Sequence, residues 1–174
     1  MRTAALAGLV AFVLTLAGCG GEGQTEVPAP FALTDSAIGR YCGMNVLEHP
    51  GPKGQIILAK APEPIWFSSA RDTVAFTLLP EESKNIAAIY VSDMAVAETW
   101  DAPGAENWVD ARQAFFVIGS SMSGGMGAPE TVPFSTEVAA RRFVEDNGGE
   151  IVEFADIPPD YVLGSAPNAM ESNK

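Results

Sequence analysis

The chain has 174 residues, with 22 acidic against 10 basic side chains, a formal net charge of −12 and a single histidine. That balance excludes a nucleic-acid-binding surface, which needs clustered cations to neutralise phosphates, and it argues against direct adhesion to anionic lipid. Hydrophobic residues make up 47% of the chain, ample for a core, and the length suits one domain or two very small ones.

Residues 1–18 read as a secretory leader. Arg2 is the positive n-region, and Ala4 to Leu16 is an apolar run too short to span a bilayer comfortably. Leu16-Ala17-Gly18-Cys19 resembles a lipobox, which predicts cleavage before Cys19 and acylation of its sulfur. The mature protein is then expected outside the cytoplasm, held to a membrane by lipid at Cys19. Gly20 follows the anchor where an inner-membrane retention signal would have aspartate, so an outer-membrane position fits. Ten Lys+Arg less Arg2 leaves nine against 22 acidic residues, a formal charge of −13, so the acyl chain must supply the membrane affinity. Acylation also removes Cys19 as a partner for Cys42. An unpaired thiol in an exported protein asks for a reason, and metal binding and a catalytic thiolate are the two that chemistry offers.

Residues 19–37 are rich in glycine and proline and read as the acylated cysteine and a flexible tether, spanning roughly 20–25 Å. Next comes Arg40 to Pro52, which offers a thiol, a thioether and an imidazole within eight residues: Cys42, Met44 and His49. Those donors favour a soft or borderline metal such as copper(I). If Tyr41–Leu47 is a strand, Cys42 and Met44 face the same side, and the His-Pro-Gly-Pro turn can bring His49 back to them. Against this stand the ordinary roles of such residues: a buried small thiol, a packing methionine, a structural imidazole.

Gln55–Ala59 reads as a second strand. Ile65–Phe67 is a short apolar entry to a helix capped by Ser68 or Ser69, with Asp72 in its first turn and Pro80 beyond its end. Ile86–Val91 is a strongly apolar strand that ends at Ser92-Asp93-Met94. A linker follows. Ala114–Gly119 is the next strand and Ser120–Gly127 a Gly/Ser/Met loop. Thr131–Phe134 leads to a helix with Ser135 as its N-cap, stopped by Gly148-Gly149, and Ile151–Phe154 closes the pattern.

The two halves echo one another. Phe67-Ser68-Ser69 opens one helix with Phe76 nine residues on; Phe134-Ser135-Thr136 opens the other with Phe143 nine residues on. This predicts a duplicated α+β architecture of two similar ββαβ units in tandem, each a small sheet with one helix. The expected boundaries are 1–18 for the leader, 19–37 for anchor and tether, 38–98 for the first unit, 99–112 for a linker, 113–164 for the second unit and 165–174 for a disordered tail.

Four stretches together resemble the NosL family: Cys42 through Ile56, Phe67 through Asp72, Val91 through Met94, and Gly124 through Glu130. With the lipobox, the resemblance covers the whole mature body, about residues 38–164. It implies two ββαβ units related to a domain of organomercurial lyase. It further implies a periplasmic lipoprotein chaperone without enzymatic turnover. Such a chaperone takes copper(I), one ion per chain, from a donor in the envelope. It delivers the ion to nitrous-oxide reductase for assembly of a copper-sulfide centre. By the same resemblance Cys42 and Met44 match the family's Cys-x-Met motif, His49 its histidine and Met94 a family methionine; Met126, in the glycine-rich loop, is a weaker candidate. Such a site should be shallow and two- or three-coordinate, so that an incoming ligand can join before another leaves. Glu48, Asp72 and Asp93 can serve behind the ligands or as solvated acids.

The competing reading is a thiol-dependent enzyme on the same scaffold, built on the single dyad that the sequence permits, Cys42 with His49. A carbon–metal lyase would want further thiols, and the body has only Cys42. The Ser120–Gly127 loop lacks the Lys-Ser/Thr of a phosphate-binding loop.

Overall fold

The structure, a computed structural model, describes residues 27–164. The leader, Cys19, the start of the tether and the tail lie outside the described residues. Among the described residues no helix is long and apolar enough to cross a membrane.

Strand β1 (Gly54–Leu58) is the middle of the first sheet. Antiparallel partners flank it, β2 (Ile65–Phe67) on one side and β3 (Ile86–Ser92) on the other, so its residues are almost wholly buried. Helix α1 (Ala70–Leu78) lies directly on β1: a Cβ at Gly54 would fall 1.8 Å from Thr73 Oγ1, so only glycine fits this crossing. The side chain of Ser69 caps the helix by accepting the amide of Asp72, and Pro80 follows its last turn.

Strand β4 (Trp108–Asp110) extends the sheet to the order β2-β1-β3-β4. Three residues of the stretch read as a linker are thus the edge strand of the first sheet. The second sheet holds β5 (Phe115–Ile118), β6 (Val132–Phe134) and β7 (Glu150–Glu153) in the order β6-β5-β7, all antiparallel. Helix α2 (Glu137–Asn147) stands between β6 and β7 in the chain, as α1 stands between β2 and β3. Its cap is Thr136 rather than Ser135, accepting the amide of Ala139, and it ends at Gly148 and Gly149, both at positive φ. A short helix, α3 (Pro159–Leu163), closes against α1.

The order β2-β1-β3 repeats as β6-β5-β7, and the echo seen in the sequence has a physical counterpart in each unit. Phe67 meets Phe76 edge-on at 5.6 Å between ring centroids, and Phe134 meets Phe143 at 5.2 Å. The mixed α+β class with two small antiparallel sheets is therefore the observed one. Strand β5 joins the two cores through its period of two. Phe116 points into the first core with Ile56, Phe76 and Ile89, whereas Phe115 and Val117 face the second with Val132, Phe134 and Ala140.

Two local readings need correction. Tyr41–Leu47 is not a strand: Gly43 sits at φ 65°, its amide bonds the Gly39 carbonyl in a tight turn, and Val46–Glu48 is one turn of 3-10 helix capped by Asn45. And the end of the tether is docked. Phe31 exchanges two hydrogen bonds with the buried amide of Gln55, Tyr90 Oη donates to the Pro28 carbonyl, and Leu33 is buried beside Ala37 and Val46.

Candidate metal centre

Cys42 is brought to its place by a turn, not by a strand. The amide of Gly39 bonds the Met44 carbonyl and that of Arg40 bonds the Trp66 carbonyl, which fixes the turn to the end of β2. Glu82 accepts from both the Arg40 guanidinium (3.2 Å) and Tyr41 Oη (3.2 Å), pinning the residues before Cys42. A Cβ on Gly39 would come within 2.6 Å of Cys42 Sγ, so the thiol rests on bare backbone. The sulfur lies 3.8 Å from His49 Nε2, 3.6 Å from Ser68 Oγ and 3.9 Å from the Met44 carbonyl.

His49 is 5% exposed and is held from the second unit. Its Nδ1 is 3.3 Å from the carbonyl oxygen of Gly125, an obligate acceptor, so Nδ1 carries the proton and Nε2 presents its lone pair towards Cys42. A Cβ on Gly125 would lie 2.4 Å from His49 Cβ, so the loop can seat the imidazole only with glycine there. A metal with bonds of about 2.3 Å to sulfur and about 2.0–2.1 Å to nitrogen spans donors about 3.5–3.8 Å apart at tetrahedral to trigonal angles. The Cys42–His49 separation falls in that range.

The other sulfurs are placed differently. Met44 is 42% exposed and stems from the backbone that touches Cys42; Met126, 56% exposed, adjoins the Gly125 carbonyl on His49. The backbone of each therefore adjoins the dyad, and both side chains are exposed. Met94 leaves the end of β3 with its amide on the Pro133 carbonyl, and its side chain packs against the second core. Among the described residues no group of three or more His, Cys, Asp or Glu side chains is placed to hold a metal ion, so a closed cage of hard or borderline ligands is not what this site offers. A thiol and an imidazole with two exposed methionines on the adjoining backbone suit a soft ion with room for an incoming ligand.

The acids named from sequence take supporting places. Glu48 is exposed. Asp93 is buried and holds the end of β3, its carboxylate accepting the amides of Ala95 and Ser135. Burial pushes the Asp72 carboxyl up from its usual range, partly offset by Arg71 and His49.

Three supports were not foreseen. One is the Ser68 hydroxyl beside the thiol. A second is Lys53, 2% exposed, whose Nζ donates to the carbonyls of His49 and of Gly51 and so clamps the His-Pro-Gly turn from inside. Burial lowers its pKa to about 8 against the pull of Glu130 and Asp101. The third is Glu130, wholly buried, whose pKa burial raises to about 7 despite hydrogen bonds from Arg71, Thr131 and Ser69. A lysine and a glutamate set among apolar residues and glycines are a sequence signal of a kind, but their partners lie too far along the chain for spacing to disclose.

The NosL family model matches residues 30–162. The copper-binding lipoprotein NosL of Achromobacter cycloclastes is 46% identical over 175 residues, covering 97% of this chain and 91% of that protein. The protein of the same name from Stutzerimonas stutzeri is 34% identical over 153 residues, covering 87% and 77%. Among solved structures, the crystal structure of the copper chaperone NosL from Shewanella denitrificans superposes with a TM-score of 0.69 at 34% identity, over 74% of this chain and 94% of that one.

Proposed function

The chain belongs to the NosL family, and on that premise we propose that it is a copper-binding lipoprotein that carries copper(I) in the cell envelope and hands it to nitrous-oxide reductase while that enzyme's copper-sulfide centre is assembled. The observation that carries the reading is the 3.8 Å approach of Cys42 Sγ to His49 Nε2, with exposed methionines on the backbone to either side. Cys42 supplies charge and softness as the thiolate. His49 supplies a directional nitrogen whose tautomer is set by the Gly125 carbonyl. Met44 and Met126, as neutral thioethers at the rim, can join or leave without a change of charge, and this suits transfer to a partner's ligands. One copper(I) per chain is the stoichiometry that a single dyad supports. Met94 is the family methionine most in need of a test, since its side chain lies with the second core.

A lipid anchor at Cys19, a periplasmic position and outer-membrane placement belong to the same proposal; the lipobox and the lipoprotein relatives support the anchor, and Gly20 after Cys19 is what supports the outer membrane. The protein acts here by binding and release, without turnover. The Cys42–His49 contact is also what a thiolate nucleophile needs. The Gly125 carbonyl orients the ring in either case, so turnover of a substrate by the metal-free protein is what would favour the enzyme over the carrier.

The test is an anaerobic titration with copper(I) against a chromophoric chelator. It compares the unmutated protein with Cys42→Ser, His49→Ala, Met44→Leu, Met126→Leu and Met94→Leu. Tight uptake of one equivalent, abolished in Cys42→Ser and weakened at least tenfold in His49→Ala, is expected. Transfer to copper-free reductase should then follow. No competition by the unmutated protein would sink the reading.

A further inference from the structure

The group that the copper-binding reading leaves unused is Glu130. It is wholly buried, yet it stands where the two units meet behind the site. Its Oε1 accepts three hydrogen bonds: from the amide of Arg71 at 2.8 Å, the amide of Thr131 at 2.9 Å and the hydroxyl of Ser69 at 3.3 Å. Two of those donors belong to the N-terminus of α1, the next residues along from Ser68, whose hydroxyl is 3.6 Å from the Cys42 sulfur. Its Oε2 has no hydrogen-bond partner among the described residues and lies against Gly124, where a Cβ would come within 2.2 Å of it. Gly124 is in turn bonded to Ala128 and Gly127 in the compact loop that delivers the Gly125 carbonyl to His49.

One carboxylate therefore touches both sides of the site at one remove. A wholly buried acceptor that satisfies a helix-terminal amide, a second backbone amide and a hydroxyl is costly to remove, because the buried donors lose their partner. A carboxylate whose other oxygen packs against bare backbone sets how closely the loop can approach. We infer that Glu130 is a positioning residue for the copper site: it joins the N-terminus of α1 to the Gly124–Gly127 loop, and so fixes the carbonyl that selects the His49 tautomer and the distance from His49 to Cys42. The inference rests on the reading of Cys42 and His49 as ligands, and the test separates the two.

In the mature acylated chain in detergent micelles, without metal, the nitrogen chemical shifts of His49 report the tautomer directly; copper(I) affinity is measured beside them. Glu130→Ala should mix the tautomers and weaken copper(I) binding at least tenfold. Glu130→Gln keeps an acceptor in the Oε1 position and should restore both to within about threefold of the unmutated protein. Val162→Ala, which loosens the first core from α3, controls for destabilisation and should leave the tautomer unchanged. If Glu130→Ala does not fold, Gly124→Ala presses on the same joint from the loop side and should shift the tautomer in its place. An unmixed tautomer in whichever of these two variants is folded overturns the inference, as does a Glu130→Gln no better than Glu130→Ala. A mixed tautomer with unchanged copper(I) affinity leaves Glu130 holding His49 and removes His49 from the copper site.

Discussion

Between β1 and β2 the chain crosses in residues 59–64; at the same place in the second unit, between β5 and β6, it takes residues 119–131. The short connection turns the chain and ties it to the segment before β3 through the Ala59 amide on the Asn85 carbonyl. The long one carries the glycine loop that reaches across to His49. The helices differ as well. α1 buries Ala70, Thr73, Val74, Ala75 and Phe76 between its sheet and α3, whereas α2 buries only Ala140 and leaves Val138 62% exposed. So one sheet order serves two purposes. The first unit is the interior that carries the thiol and the imidazole. The second is an outer buttress that supplies one carbonyl and one carboxylate. Chemistry here resides in the loops grafted on a repeated scaffold.

The widest gap between the units should appear in their matched phenylalanines. Phe76 is 1% exposed in the larger core; Phe143 only packs against the edge of the smaller one. Phe76→Ala should cost about 3–5 kcal/mol in denaturant unfolding, and Phe143→Ala about half of that. Equal losses would mean that the second unit is as much a core as the first.

A pH titration of stability sharpens the contrast, because two strongly shifted groups, Glu130 and Lys53, lie where the units meet. Glu130 titrates at about 7 in the folded chain against 4.5 unfolded. The folded state holds that proton more tightly, so its contribution is complete below pH 4.5 and is lost as pH rises to 7. The loss is about 3 kcal/mol. The raised Asp72 acts in the same sense. Lys53 runs the other way. Its pKa falls from 10.5 to about 8, so its buried charge opposes folding below pH 8 and that cost is relieved towards pH 10.5. Metal-free protein should therefore show least stability between pH 7 and 8. Glu130→Gln should flatten the acid limb and Lys53→Met the alkaline one. A stability that rises steadily from pH 5 to 7 would contradict the sign.

What sequence made legible was what repeats. The Phe-Ser helix entries, their nine-residue offset and the apolar strands around them are local patterns, and local patterns survive folding. The pairing of Cys42 with His49 was legible from residue type, though the route was wrong. Tyr41–Leu47 has the composition of a strand, but Gly43 at positive φ and the Asn45 side chain curl it into a turn. The supports were illegible for a different reason. The Gly125 carbonyl reaches His49 across 76 residues and Glu130 reaches Arg71 across 59. Nothing in a window of ten residues encodes such contacts. Likewise the docking of Phe31 depends on the amide of Gln55, a polar residue in a strand that gave no sign of its partner.

Within the long loop, two glycines with different reasons to be glycine give a finer comparison. A Cβ at Gly125 would strike His49, but one at Gly127 would meet nothing within 4 Å, and only its φ of 76° disfavours a side chain. Gly125→Ala should weaken copper(I) binding at least tenfold. Gly127→Ala should cost about 1 kcal/mol of stability and leave the affinity unchanged. If both alter affinity alike, the loop acts through its overall order and not through one carbonyl.

The smallest effect concerns the ion pairs of the two units. Arg141 and Glu137 form an exposed pair one helical turn apart on α2, with side chains 66% and 48% exposed. Solvent screens such a pair and two long side chains must be ordered to make it, so Arg141→Ala should change stability by at most about 0.5 kcal/mol. Arg40 pairs with Glu82, whose side chain is only 10% exposed and which also accepts from Tyr41. Here Arg40→Ala should cost about 1 kcal/mol and also speed the loss of copper(I) to a chelator, because the turn that presents Cys42 loses its fastening. Off-rates that match in the two arginine variants would show that Tyr41 and the Trp66 carbonyl hold that turn without help, and would place the Arg40 pair among surface contacts like the one on α2.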